Sequence, residues 1–388
     1  MDNITDYVKK MGHLPFDQMP FNPVDSLILS KFAYFKLEKL PDTDRREITI
    51  AKIAGDFSGA EPGSSTRNYY SGLHGEEKEL LLSMGKSQRF GAAVVTDYQS
   101  SFDPEEEKQF AAMTFRIGDR DRYAAYRGTD NTIVGWKEDL NMSFMSPVPA
   151  QEEAADYLSV ISEKYPDGRL WVGGHSKGGN LAVYSAAFAG EEVRNRLTGV
   201  FNHDGPGFPS GVIAEDQYQA VLDRIYTYVP QSSVVGMLLE QEGSYTVVKS
   251  RQIGLLQHDP FSWEVSGNHF VTLKSVTLES RLLDHTLKDW ICSLTPESRK
   301  KFIDALYEIL SASGAATLKE LRENWTQALP RMLLAVNKLD EPTRKEMRNV
   351  LEAFLEAAKG SLADLTRAEE KQLVDKAKKD LGREVEEI

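Results

Sequence analysis

Apolar and polar positions change rhythm four times along the chain. Over residues 1–45 the apolar stretches are short and broken by prolines at 15, 20, 23 and 41. Within them, DSLILSKFAYFKL repeats its apolar residues on one helical face, with Asp25 or Ser26 placed to cap it. Residues 46–85 carry no clean period apart from a loop at EPGSSTRN and a helical GEEKELLLSMGKS that stops near Gly85. From about residue 90, FGAAVVTDYQS is rich in β-branched residues, and KQFAAMTFRIGD and DRYAAYRGTD flank the turn GDRD. That pattern predicts an antiparallel hairpin entering a sheet.

After residue 150 strands and helices alternate. QEEAADYLSVISEKY reads as a helix, RLWVGGHS as a strand and GGNLAVYSAAFAG as a helix. LTGVFNHDGPGF, RIYTYVPQSS and YTVVKSRQ follow as strands, with helical EDQYQAVLDRI after the first. Strands separated by helices of this length predict an α/β fold with a mainly parallel, doubly wound sheet. Beyond about 275 the pattern is helical throughout, and the last segment is highly charged. The expected organisation is an α/β domain over 1–290 and a helical C-terminal extension over 291–388.

Composition narrows the function. A formal net charge of −13 argues against general nucleic-acid binding, which needs a basic footprint. One cysteine, Cys292, excludes an intrachain disulfide, and its setting in DWICSLTPES reads as a buried structural thiol. No run of about 18 apolar residues predicts a membrane span, and the acid-bearing N-terminus does not read as a secretory signal. The expected location is the cytoplasm.

The sharpest local signal is Gly174-His175-Ser176-Lys177-Gly178, a G-x-S-x-G pentapeptide. Alone it is weak. Here a strand precedes it and a helix follows, the context in which a nucleophilic serine is held on a sharp turn at the top of a sheet. Small residues let strand and helix approach, and the helix N-terminus favours an oxyanion. Read without function, the same residues are a glycine-rich strand–helix turn. Lys177 reads as a solvated or structural side chain, or as one that steers an anionic substrate.

Upstream, AAYRGTDNTIVGWKEDL supplies Tyr126, Arg127, Gly128, Thr129, Trp136, Asp139 and Leu140. Together with GGHSKGGNLA this resembles the fungal-type (class 3) lipases, which are α/β-hydrolases. PFNPVDSLILS, NHDGPGF and QHDPFSW extend the likeness to a bacterial family of unknown function related to those lipases, over roughly residues 1–290. The resemblance implies that Thr129 supplies one oxyanion-hole donor and the N–H of Lys177 the other. It also implies a lid over the pocket in DNTIVGWKEDLNMSFMSPVP, where Trp136, Met142, Phe144 and Met145 offer apolar cover. Ordinary core packing explains those residues as well. Arg127 reads as structural, with Asp139 as a partner.

A serine nucleophile needs a base and usually an acid. His203, His258, His269 and His285 follow Ser176. His258, just after the late strands, fits a loop at the strand ends best, and His269 is the alternative. The lipase pattern would put the acid after the strand IYTYV, where Gln231, Ser232 and Ser233 stand instead. Asp204, in NHDGPGF, is the remaining candidate, with Asp259 beside His258 as a local alternative. The expected function is a lipase- or esterase-like serine hydrolase acting on a small-molecule or lipid acyl substrate, with no metal or cofactor. The competing readings are a non-catalytic binding or regulatory protein on a hydrolase fold, and acyl transfer to an acceptor other than water.

Overall fold

The computed structural model describes residues 2–37, 47–59, 75–129, 147–276, 295–315 and 324–345, except 104, 106–107, 210, 234, 237–242 and 253, together with 137, 141 and 142. His285, Cys292, Trp136, Asp139, Leu140, Phe144 and Met145 lie outside them.

The strands are β1 (Glu47–Thr49), β2 (Val94–Asp103), β3 (Lys108–Ile117), β4 (Asp121–Tyr126), β5 (Leu170–His175), β6 (Leu197–His203), β7 (Ile225–Pro230), β8 (Tyr245–Val248), β9 (Val265–Ser266), β10 (His269–Phe270) and β11 (Thr272–Leu273). Nine of them form one sheet in the order β1-β2-β3-β4-β5-β6-β7-β8-β11. Neighbours from β1 to β4 are antiparallel. From β4 to β8 they are parallel, and β11 closes the edge antiparallel to β8. The switch in sense follows the connections. β3 reaches β4 through a tight turn in which Gly118 takes φ +72°, a left-handed value suited to glycine. The step from β4 to β5 contains a whole helix, as a parallel crossover requires.

The principal helices are α1 (Ile4–Met11), α2 (Pro23–Phe32), α3 (Ile50–Gly59), α4 (Gly75–Lys86), α5 (Pro149–Lys164), α6 (Lys177–Phe188), α7 (Pro296–Ala312) and α8 (Trp325–Lys338). Side chains alternate across the sheet as strand geometry dictates. Tyr123 of β4, Trp171 of β5 and Phe201 of β6 join a core with α1 to α4. Ala124, Val172 and Val200, one residue away on the same strands, join the opposite core with α5 and α6. Helices therefore cover both faces, and the fold is that of an α/β-hydrolase. Beyond it, α7 and α8 pack on each other around Ile303, Ile309 and Met332.

The N-terminal helices are pinned by buried polar contacts. The cap of α2 is Asn22, not Asp25 or Ser26. The Asn22 side chain accepts from the N–H groups of Val24 and Asp25, while Asp25 accepts from the Asn22 N–H at 3.0 Å. Pro23 and Val24 already lie inside the helix, so Asp25 sits in the third helical position of a capping box. Its fully buried carboxylate then pairs with Arg89 at 2.8 and 2.5 Å and accepts from Tyr7 at 2.9 Å.

Candidate active site

The site lies where β5, β6 and the loop after β4 end. β5 runs into α6 with one residue between them. That residue is Ser176, at φ 60° and ψ −134°. A non-glycine residue held there costs on the order of 1–3 kcal/mol. Neighbours over-determine it. Its N–H donates to the carbonyl of His203 at 3.0 Å, and its own carbonyl accepts from Gly179 at 2.8 Å. The flanking glycine is forced by space, since a Cβ on Gly178 would fall 2.3 Å from the Tyr126 carbonyl oxygen. Ser176 itself is partly exposed, whereas both its chain neighbours are buried.

The strand end carrying Thr129 reaches the same point. A Cβ on Gly128 would lie 2.5 Å from the His175 carbonyl oxygen and 3.1 Å from the Ser176 Cβ. Thr129 follows directly and is half-buried. Lys177 opens α6, where the helix dipole favours negative charge. Of the readings of the Lys177 side chain, the structural one holds and the solvated and substrate-steering ones do not. The side chain is buried along its whole length, and Nζ donates to the Gln109 carbonyl of β3 at 2.8 Å. The helix start turns this side chain back over the sheet, away from solvent.

Asp204 follows β6 directly, also in the left-handed region at φ 56°. Its N–H donates to the Tyr228 carbonyl of β7 at 2.8 Å. The carboxylate is fully buried and accepts at both oxygens. Oδ2 lies 2.7 Å from Nδ1 of His258. Oδ1 accepts from the Ser233 hydroxyl at 2.5 Å and the Gly236 N–H at 3.2 Å. The loop after β7, which lacks a carboxylate at 231–233, thus contributes donors to a carboxylate that arrives from β6. Behind Asp204, the turn Gly205-Pro206-Gly207 is held by a chain of buried amides. Asn202 accepts from the Gly205 N–H at 2.8 Å, Asn180 donates to the carbonyls of Pro206 and Gly207, and Gln151 donates to Asn180 at 2.8 Å.

His258 ends a short 3-10 turn, Gly254–His258, and is partly exposed. Its loop is clamped on several sides. The Trp263 indole N–H donates to the Gln257 carbonyl at 2.8 Å, and the Gln257 side chain accepts from the Ser232 N–H at 2.9 Å. The His258 carbonyl accepts from Nε2 of His175 at 2.8 Å, and the two imidazole rings lie 4.5 Å apart, centre to centre.

The other candidates sit elsewhere. His203 is fully buried on β6 beneath Asp204, with Nε2 2.9 Å from the Ser26 hydroxyl, and burial pushes its pKa down to about 3. His269 is exposed on β10, with Asn268 3.5 Å from its Nδ1. Asp259 is exposed, and its carboxylate caps the next turn by accepting from the Phe261 N–H at 3.2 Å. Arg127 is buried, and its Nε and Nη1 have no hydrogen-bond partner among the described residues. Of the segment expected to form a lid, Met142 is buried, and Lys137 pairs with Asp304 of α7 at 3.0 Å and lies over the Tyr307 ring. Sequence reasoning missed Ser233, Gly236, Asn180, Gln151, His175 and Tyr34. Only the x position of G-x-S-x-G, occupied by His175, offered a signal.

Fold and strand–helix turn together define the α/β-hydrolase class of folds. Within that class the chain belongs to the Mbeg1-like family, whose model matches residues 84–308. Among solved structures it is similar to a triacylglycerol lipase described as having a serine protease triad at its catalytic centre. That likeness is at 18% identity, covers 40% of this chain and 66% of the lipase, and has a TM-score of 0.31. It is also similar to a lipase from Rhizopus microsporus var. chinensis, at 17% identity over 53% of this chain and 78% of that one, with a TM-score of 0.35. Lipase II from Rhizopus niveus matches at 16% identity over 53% and 83%, with a TM-score of 0.34. The chain thus spans just under two thirds of the first lipase's length. No curated protein sequence matches the chain. No helix among the described residues is long and apolar enough to cross a membrane.

Proposed function

We propose that the protein is a serine hydrolase that cleaves an ester or closely related acyl bond, with Ser176 as nucleophile, His258 as base and Asp204 as acid. The observation that carries this reading is the 2.7 Å contact between Asp204 and His258 Nδ1 at the sheet edge that displays a left-handed Ser176. A carboxylate can only accept, so Nδ1 of a neutral His258 carries the proton and Nε2 is left as the base. Ser176 gives its proton to Nε2 as it attacks the carbonyl carbon. The N–H groups of Thr129 and Lys177 receive the oxyanion. His258 then protonates the leaving group, and water, activated by the same ring, releases the acyl product. The burial of Asp204 and its further donors, Ser233 and Gly236, favour a fixed carboxylate that orients the ring. The substrate fits a small-molecule or lipid acyl compound, and a cytoplasmic location accords with the sequence.

The test is labelling of the full chain with a fluorophosphonate probe, followed by a series of p-nitrophenyl esters of rising chain length. The wild type is expected to label and Ser176→Ala to remain unlabelled. A properly folded wild type that neither labels nor turns over any ester would favour a binding protein on a hydrolase fold.

A further inference from the structure

His175 has two hydrogen bonds that fix its chemistry. The His258 carbonyl can only accept, so Nε2 of His175 must carry hydrogen. Nδ1 of His175 lies 3.0 Å from the Tyr34 hydroxyl. With Nε2 protonated and the ring neutral, Nδ1 is a bare acceptor and Tyr34 donates to it. Burial holds the ring neutral, pushing its pKa well below the ordinary histidine value. The positive charge of Lys31 and the neighbouring rings of His258 and His203 act in the same direction. Tyr34 lies just beyond α2, so a single line of contacts runs from the N-terminal helical layer through β5 to the loop of the candidate base.

We propose that His175 is a positioning residue for His258, its tautomer fixed by the His258 carbonyl and its bare Nδ1 held by the Tyr34 hydroxyl. His175 grips the main-chain carbonyl of His258 and packs its ring against the His258 ring, so that the base meets Ser176 on one side and Asp204 on the other. This rests on the hydrolase reading above. Three anchors thus act on the base from different directions: Asp204 on Nδ1, the His175 ring on its face, and the His175 N–H on its backbone. With the last two removed, the ring keeps its carboxylate but loses its bearing toward the serine.

The experiment compares fluorophosphonate labelling rates and ¹⁵N-histidine NMR spectra of the full chain as wild type, Tyr34→Phe, His175→Phe and His175→Gln. His175→Phe keeps a ring to pack but removes the donor. It is expected to label about a hundredfold more slowly, the scale of a misplaced catalytic group. Tyr34→Phe is expected to cost about tenfold or less, the scale of one neutral hydrogen bond. His175→Gln, whose amide restores a donor, should recover part of the rate. In the wild-type spectrum His175 should be protonated at Nε2 and bare at Nδ1. The downfield His258 Nδ1–H signal should exchange faster in His175→Phe, which a purely structural role would not cause in a variant that stays folded. A labelled wild type whose His175→Phe variant keeps both rate and signal overturns the positioning role and leaves the hydrolase standing. An unlabelled wild type overturns both.

Discussion

Acid should destabilise this protein through His203 before it titrates most of its carboxylates. The residue sits between Phe201, Tyr228, Trp263 and Phe270, fully buried, with Nδ1 unpartnered among the described residues. Its pKa falls from 6.5 to about 3 because burial penalises the charged ring. In the unfolded chain the same ring takes up a proton as pH drops through about 6.5. A depressed histidine therefore contributes its stability fully above the unfolded value and loses it as pH falls toward the folded one. The loss runs at about 1.4 kcal/mol per pH unit below pH 6.5, so at pH 5 it reaches about 2 kcal/mol from this residue alone. His175, also depressed by burial, adds loss of the same sign. The perturbation is His203→Gln, and the assay is urea unfolding at several pH values from 7.5 to 5. Carboxylates act equally on both proteins, so the difference in slope isolates the histidine. The variant should start less stable at pH 7.5, and its stability should fall by about 2 kcal/mol less than that of the wild type. Equal slopes in the two proteins would falsify the account of a neutral, buried His203.

Further outcomes follow from the site and its supports. Asp204→Asn should keep the fold and lower ester turnover by roughly 10²–10⁴-fold, because the amide cannot hold the His258 tautomer; steady-state kinetics on an ester that the wild type cleaves would check this. Gly128→Ala drives a methyl group to within 2.5 Å of the His175 carbonyl oxygen, so labelling of Ser176 should slow at least tenfold while the melting temperature changes by a few degrees; an unchanged rate would mean that the strand end does not bear on the serine. Arg89→Met leaves the Asp25 carboxylate buried without its cation and should cost about 3–5 kcal/mol in chemical denaturation. The double variant with Asp25→Asn should recover part of that loss, and full additivity of the two changes would refute the pairing.

Much of this architecture is legible in the sequence, for physical reasons that differ by region. Around Ser176, β5 is buried along its whole length, and the helices before and after it, α5 and α6, run 16 and 12 residues, so strand and helix composition separate cleanly. The Ser176 turn is legible because only glycine fits where Gly174 and Gly178 come together, with the Gly174 Cβ position 2.2 Å from Gly178. From sequence the cap of α2 falls three or four residues late, because Asp25, a fair cap residue, occupies the position that completes a box begun by Asn22. Lys177 misleads because a lysine near a helix start usually reaches water, and only the sheet behind it offers the Gln109 carbonyl. The loop after β7 looks deficient because Gln231, Ser232 and Ser233 stand where the lipase pattern puts a carboxylate. Its serine and glycine gain meaning only when β6, lying beside β7, delivers Asp204 to them.

The N-terminal layer also has a consequence for how the chain is made. Ser26 of α2 bonds to Tyr123 and His203, which follow it by 97 and 177 residues, and Asn3 reaches the carbonyl of Phe261, 258 residues on. At a synthesis rate of about 5–20 residues per second, α2 leaves the ribosome roughly ten to thirty seconds before β6 exists to receive it. During that interval Leu27, Ile28, Leu29 and Phe32, none of them exposed in the finished fold, have no sheet to cover. Such long-range pairings close slowly. Nascent chains stalled at about residue 120 should therefore bind a holding chaperone through this segment, and chains extended beyond residue 263 should release it.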